Sequence, residues 1–371
     1  MAGTVSTQRT RTRAGAIVAA PRPIVRDFTG AAARADLTFE ARTAFDFLVS
    51  MNVVAGEETD LLPEDATWLK DARAGLAPDV RNDIDSCFGG TSAAAFQALP
   101  GLAVNRPETA DAASFVAVLD ALSDDQLARL LLADLLRYVG SETAIDAVMS
   151  GDDAALADVG SRFDDHKAEV VGFLREPVPA VRQVRAIVAA WLPVYQQVEP
   201  RVAMMLERDV AGRRSDRQDL DQATLIERTT GGLRWLPEPQ VRRVVMAPSY
   251  FARPFNYVFQ GADWRLFAYP IADAALGAVD AGIAPQSVVR LYRALGDSTR
   301  MRILKLLSDR DFYLTELALQ LELSKPTMKH HLALLRAAGL VTVTEEGSLT
   351  YYSLRRERLE EAGTELHSFL A

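Results

Sequence analysis

Apolar residues along this chain follow two different periods. From about Leu37 to Tyr138 the pattern is helical: in "FEARTAFDFLVSMNVV", Phe39, Ala44, Phe47, Leu48 and Met51 fall into one apolar stripe. Pro63, Pro78, Pro100 and Pro107 divide this stretch into several helices. "SDDQLARLLLADLLRYVG" opens on Ser123, an N-cap followed by acids in the first turn, and closes at Gly140. Further helices are predicted near Ala154 to Leu174 and Val178 to Glu207, the second kinked or broken at Pro193.

Between about Gly231 and Ile271 the period shortens. "VRRVVMAPS", "FNYVFQ" and "WRLFAYP" are short, β-branched and aromatic, and they predict a small antiparallel sheet near 240–271. Core packing explains most of the rings here. A sharper reading has Tyr250, Phe255, Tyr257, Phe259 and Trp264 line an apolar pocket for a small-molecule effector. "DAGIAP", Asp280 to Pro285, reads as a domain junction.

From Val288 the helical period returns with clear punctuation. "VVRLYRALG" ends at Gly296, and Asp297 or Ser298 caps "TRMRILKLLSD". "LTELALQL", capped by Thr315, is followed by the turn Glu322-Leu323-Ser324 and by a longer helix from Lys325 to Ala338. A short helix, a tight turn and a longer helix make a helix-turn-helix. In the longer helix Ser324 is the N-cap and Pro326 occupies the first turn, where its missing N–H costs nothing. Met328, Leu332, Leu335 and Ala338 form the inward stripe. Ser324, Lys325, Thr327, Lys329, His330 and Arg336 are left to face DNA, with His331 packed beside the scaffold. "LVTVTEE", Gly347-Ser348 and "LTYYSL" then form a β-hairpin wing.

Charge locates any nucleic-acid surface. The 371 residues carry a net charge of -9, which argues against indiscriminate DNA binding. Residues 286 to 371 hold 12 Lys+Arg against 11 Asp+Glu, while the preceding 285 hold 29 against 39. "LSKPTMKHHLALLRAAGL", Leu323 to Leu340, contains no acid at all. The other cationic stretch is the N-terminal tail, with Arg9, Arg11, Arg13, Arg22 and Arg26 against Asp27; residues 1–35 are expected to be disordered. No apolar run approaches the ~18 residues of a membrane span, and the expected location is the cytoplasm.

Candidate enzyme chemistry is sparse. Cys87 is the single cysteine, so an intramolecular disulfide and a thiolate-rich metal site are excluded by count. Asp164-Asp165-His166 has no second histidine at helical spacing and reads as a solvated helix face. Gly231-Gly232 lacks the setting of a phosphate loop and reads as a turn. No catalytic residues, metal or cofactor are expected.

"YRALGDSTRMRILKLL", "LTELALQLELSKPTMKHHLALLRAAGLV" and "GSLTYYSL" resemble the winged helix-turn-helix domain of the ArsR/SmtB family of bacterial repressors, over about Val288 to Leu354. The helical region ending in "MAPSYFARPF" and "DWRLFAYP" resembles, less specifically, the N-terminal extensions of longer members. The resemblance implies a homodimer that binds double-stranded DNA. Two departures stand out. Metal-sensing relatives place cysteines on the helix matching Thr315 to Leu321, which has none here, and near the C-terminus only His367 stands among Glu360, Glu361 and Glu365. The wing carries Glu345 and Glu346 where relatives often have arginine.

The expectation is a mainly α protein with small β elements. Residues 36–282 would form a helical regulatory or dimerisation region, and 286–371 a winged helix-turn-helix. Its function would be sequence-specific transcriptional regulation, with repression as the sign. The alternatives are a protein-interaction platform tethered to DNA and an enzyme-like region fused to a DNA-binding module.

Overall fold

Helix α1 (Thr43–Val54) is buried along its whole length, all twelve residues, as a helix apolar on nearly every side must be. A computed structural model describes residues 35–54, 59–89, 94–136, 142–161, 171–172, 174–277, 284–346 and 349–370. The Arg-rich tail, Gly140, the Asp164–His166 triplet, residues 280–283 of the junction and the Gly347–Ser348 turn lie outside it, as do the side chains of Glu345 and Glu346.

Around α1 stand α2 (Pro63–Gly75), α3 (Pro78–Phe88), α4 (Ala94–Asn105) and α5 (Ala112–Ala121); α6 (Asp124–Leu136) packs on α4, and α7 (Glu142–Met149) and α8 (Asp153–Gly160) join it through a separate cluster of Leu132, Val148, Leu156 and Val159. They are followed by α9 (Pro177–Tyr195), α10 (Glu199–Gly212), α11 (Arg214–Asp219) and α12 (Gln222–Thr229). Pro63, Pro78 and Pro177 open helices, where the first turn has no N–H to lose. Pro100, expected as a break, instead lies inside α4. Pro193 lies in the last turn of α9, and the span from Val178 to Glu207, expected to kink or break at Pro193, is two helices that part just after it. Ser123 caps α6 as predicted: its hydroxyl accepts the Gln126 N–H at 3.2 Å, and the Gln126 side chain accepts the Ser123 N–H at 2.9 Å.

The sheet differs from the antiparallel one expected. Its strands are β1 (Asp36–Phe39), β3 (Arg243–Ser249), β4 (Tyr257–Gln260) and β5 (Trp264–Pro270), in the order β1-β3-β5-β4. β1, β3 and β5 run parallel, and only β4 is antiparallel to β5. Phe39, assigned to the first helical stripe from sequence, sits on β1. Burial on both faces is the physical reason. Val245, Ala247, Leu266 and Ala268 pack into the helical core, while Val244, Met246, Phe267 and Tyr269 join Ile226, Trp235 and Val241 in a second cluster. Such strands read as nearly continuous apolar runs, the pattern of a covered parallel sheet.

The C-terminal part contains α13 (Gln286–Leu295), α14 (Ser298–Leu307), β6 (Phe312–Tyr313), α15 (Leu314–Gln320), α16 (Lys325–Ala337), β7 (Val341–Glu346), β8 (Leu349–Leu354) and α17 (Arg356–Leu370). Leu291, Ile303, Leu307, Leu317, Met328, Leu332 and Leu335 meet in its core. The β7–β8 hairpin belongs to a four-stranded sheet of order β2-β7-β8-β6, in which β2 (Leu233–Arg234) comes from the helical body.

Candidate nucleic-acid interface

Short helix α15 leads into α16 through a turn held by its own backbone. The N-terminus of α15 is capped by the Glu316 carboxylate, which accepts the Tyr313 N–H at 3.0 Å; Thr315, the predicted cap, lies inside the helix. The chain reverses at Glu322, whose φ of 56° is left-handed, and the Leu323 N–H returns to the Ala318 carbonyl at 2.9 Å. A side chain in that region costs about 1–2 kcal/mol, so the surrounding packing has to hold it.

Ser324 then starts α16 as predicted. Its hydroxyl accepts the Thr327 N–H at 3.2 Å and lies 2.8 Å from the Thr327 hydroxyl. Met328, Leu332 and Leu335 are buried and fix the helix. Ser324, Lys325, Pro326, Thr327, Lys329 and His330 are exposed, whereas every residue from His331 to Ala337 is half-buried or buried. The accessible surface is therefore the N-terminal half of the helix, whose free N–H groups add positive potential to the two lysines.

The exposed residues do not form one face. At about 100° per residue, Lys325, Lys329 and Arg336 fall within about 40° of one another and form a cationic stripe along one flank. His330 stands on the outward apex, opposite the buried side chains, and Thr327 turns to the other flank. Arg336 is about 16 Å along the axis from Lys325. It is half-buried, and its Nε is buried without a hydrogen-bond partner. His331 packs inward with its Nδ1 3.9 Å from Asp297, and burial is the main cause that holds its pKa below the ordinary value. Asp297 caps α14 by accepting the Arg300 N–H at 2.8 Å.

Two contacts around the helix-turn-helix are not legible in the sequence. Tyr313 and Tyr351 stack with ring centroids 4.1 Å apart and hydroxyls bonded, tying β6 to β8. Arg355 donates from Nη1 to the carbonyls of Gly339, just past the end of α16, and of Gly231 in the body, at 3.1 and 2.7 Å. An arginine directly after a strand carries no local signal of such a role.

The aromatic set is divided among neighbours. Tyr257 and Phe259 each meet Phe96 edge-on, with centroids 5.2 and 5.1 Å away. Trp264 lies over Gly101, where a Cβ would come within 3.0 Å of the ring. Tyr250 belongs to a different group: it packs edge-on against Phe251, donates its hydroxyl to Asp65 and accepts the Leu62 N–H at 3.1 Å. Phe255 is half-buried at the margin of the same core. A separate polar cleft of about 330 Å³ is lined by Lys70, Arg73, Arg81, Asn82 and Asp85. Among the described residues, no three His, Cys, Asp or Glu side chains are grouped as metal ligands would be. Cys87 is partly buried, which pushes its thiol pKa up. No helix among the described residues is long and apolar enough to cross a membrane.

A three-helix scaffold, a helix-turn-helix and a β-hairpin define a winged helix-turn-helix protein. Residues 297–343 match the family model described as "Bacterial regulatory protein, arsR family". The chain is 42% identical over 80 residues to the HTH-type transcriptional regulator CmtR of Mycobacterium tuberculosis, covering 22% of this chain and 68% of that protein. It is 33% identical over 72 residues to the transcriptional repressor SdpR of Bacillus subtilis, covering 19% and 80%. It thus belongs to the ArsR family of bacterial transcriptional regulators. It spans only 57% of another relative, the HTH-type regulator KmtR of Mycobacterium tuberculosis, at 38% identity over 20% of this chain. Among solved structures, HlyU from Vibrio cholerae aligns at 30% identity over 23% of this chain and 94% of that chain, with a TM-score of 0.19.

Proposed function

We propose that this protein is a sequence-specific regulator that binds double-stranded DNA as a homodimer and represses transcription. In this reading, residues 286–371 bind DNA and residues 36–282 form a cytoplasmic regulatory or dimerisation region. The observation that carries it is the N-terminal half of α16: exposed, acid-free, and held on a buried apolar stripe. His330, at the apex, enters the major groove, and the stripe of Lys325, Lys329 and Arg336 follows base edges and flanking phosphates. Thr327 contributes through the hydroxyl pair it forms with Ser324. Two such helices related by a two-fold axis would read half-sites about 34–36 Å apart.

In vitro selection of bound DNA tests this directly, and a site with two-fold symmetry is expected. Against the selected site, His330→Ala and Lys329→Ala should each weaken binding by about 5- to 150-fold, the range for losing a good base contact. Lys325→Ala should weaken binding to all sequences alike and flatten the salt dependence by about one ion. Unchanged affinity and sequence preference in all three variants would show that α16 does not read DNA. The sign of regulation is read separately from a reporter under the selected site.

A second reading of the helical body, as a protein-interaction platform, draws on the packing of Tyr257, Phe259 and Trp264 against Phe96 and Gly101, which fills the space an effector would take. Titration of metabolite pools separates the two, since an effector that shifts operator affinity supports sensing.

A further inference from the structure

The helical body grips the DNA-binding part at two places far apart in sequence. At the wing, β2 runs parallel to β7, with Leu233 opposite Val343 and Arg234 opposite Thr344. The Val343 N–H donates to the Gly232 carbonyl at 3.0 Å, so the edge of the wing is occupied by the body. The approach requires glycine. Gly232 has φ of 123°, and a Cβ there would lie 2.9 Å from Arg355 Cδ and 3.1 Å from the Val341 carbonyl. Beside it, the Arg355 guanidinium nitrogen that reaches Gly231 also holds Gly339 behind α16. One side chain thereby links the body to the C-terminal end of the DNA-reading helix.

The second grip is on α13. Arg253, only 2% exposed, donates to the Asp60 carbonyl at 3.1 Å and to the Asp273 carboxylate at 2.6 Å. Both aspartates continue to α13: Asp273 accepts the Ser287 N–H at 2.9 Å, and the Asp60 carboxylate pairs with Arg290. With both grips closed, the N-terminal half of α16 remains exposed, so the docked body does not cover it.

We propose that β2 with Arg355, and Arg253 with its two aspartates, form a two-point clamp by which the body sets the orientation of α16, the docked state being the DNA-competent one. This rests on the DNA-binding reading above. Releasing either point lets the winged domain sample other orientations, and apparent affinity falls with the fraction that stays docked: about tenfold if a tenth does. A change in the body, from an effector or a partner, would act on DNA by loosening one of these points.

The test uses the full chain carrying Gly232→Val or Arg290→Ala, with Asp60→Asn as a milder release if Gly232→Val does not fold. Hydrogen exchange at the Val343 amide reports docking, exchange within α16 reports its integrity, and affinity for the selected site is the readout. Gly232→Val should expose Val343 to exchange with α16 still protected, and both variants should lose about tenfold in affinity. Faster exchange at Val343 with unchanged affinity, or with higher affinity, overturns the clamp alone. A wild-type chain that binds no selected DNA overturns the DNA reading and the clamp with it.

Discussion

The helical body and the winged domain treat charge in opposite ways. The body buries Asp46, Asp65, Asp209, Arg253 and Arg265, whereas the buried polar residues described in the winged domain are Thr342 and Ser353, both uncharged. Each buried charge in the body joins segments distant in sequence. Asp65 meets Arg201 and Tyr250, and Asp46 accepts from Ser249, from the Phe251 N–H at 3.1 Å and from Tyr195 at 2.9 Å. Asp209 holds Arg213 and the Ala272 N–H. An ionisable group taken out of water is costly unless a counter-charge or hydrogen bonds meet it, so these residues commit the body to one arrangement of remote parts. In the winged domain Lys325 and Lys329 on α16 stay exposed, open to another molecule.

The contrast can be broken most forcefully at Arg253. Arg253→Ala leaves the carbonyls of Asp60 and Ile271 without their side-chain donor and the Asp273 carboxylate with the Ser287 N–H but no cation. A loss of about 3–5 kcal/mol is expected by urea denaturation. A loss below 1 kcal/mol would mean that the buried guanidinium does not organise the body. By contrast, Lys329→Ala on the exposed face of α16 should stay within about 0.5 kcal/mol of wild type.

Asp46 sharpens the comparison through pH. It is fully buried with no cation beside it, and burial raises its pKa from 3.8 to about 6 against the pull of Ser249, Phe251 and Tyr195. A carboxyl whose folded pKa is raised binds its proton more tightly in the native state. Its contribution is therefore most favourable below about pH 4 and is lost as pH rises through about 6, by about 3 kcal/mol in all. Asp46→Asn removes this titration while an amide can still donate to the Tyr195 oxygen. The change in unfolding free energy between pH 4 and pH 7.5 should differ between wild type and variant by about that amount. Identical pH profiles would place the Asp46 proton equilibrium elsewhere.

A smaller effect than either buried charge gives is expected in the winged domain, at the cap of α14. Asp297→Ala removes the acceptor of the Arg300 N–H and should cost about 1 kcal/mol in thermal unfolding. A much larger loss would show that its neighbour His331, 3.9 Å away, depends on it too.

The winged domain was the more legible half because its signals are local. Ser324 and Asp297 cap the helices they precede, Gly339 follows α16, and Met328, Leu332 and Leu335 repeat at helical spacing. Each of these is settled within a few residues. What failed there was a detail of the same kind: Glu316 outcompetes Thr315 because its carboxylate can reach back to the Tyr313 N–H. In the body, β3, β4 and β5 are legible as short apolar strands, but β1 reads as part of a helix and the parallel pairing of β3 with β5 departs from the antiparallel sheet expected. Strand direction depends on which strand lies alongside, and β1 pairs with β3 although the helices α1 to α12 lie between them in sequence. The continuous apolar runs in β3 and β5 were the available sign of a parallel sheet.

At the candidate interface the residue types were readable in advance, while their grouping was not. Helical spacing alone marks Lys325, Thr327, Lys329, His330 and Arg336 as turned away from the buried stripe. Only the folded chain shows that exposure stops at His330, that Thr327 is bonded to Ser324, and that Arg336 is half-buried in the last turn.

Periods, caps and the absence of acids between Leu323 and Leu340 follow from the order of residues, because each acts over one or two helical turns. Tertiary structure decided the rest: the parallel sheet, the buried carboxylate of Asp46, and the grip of Gly232, Arg253 and Arg355 on the winged domain. Those contacts join residues tens to hundreds of positions apart, and no local pattern encodes which distant partner a buried charge or an open strand edge will find.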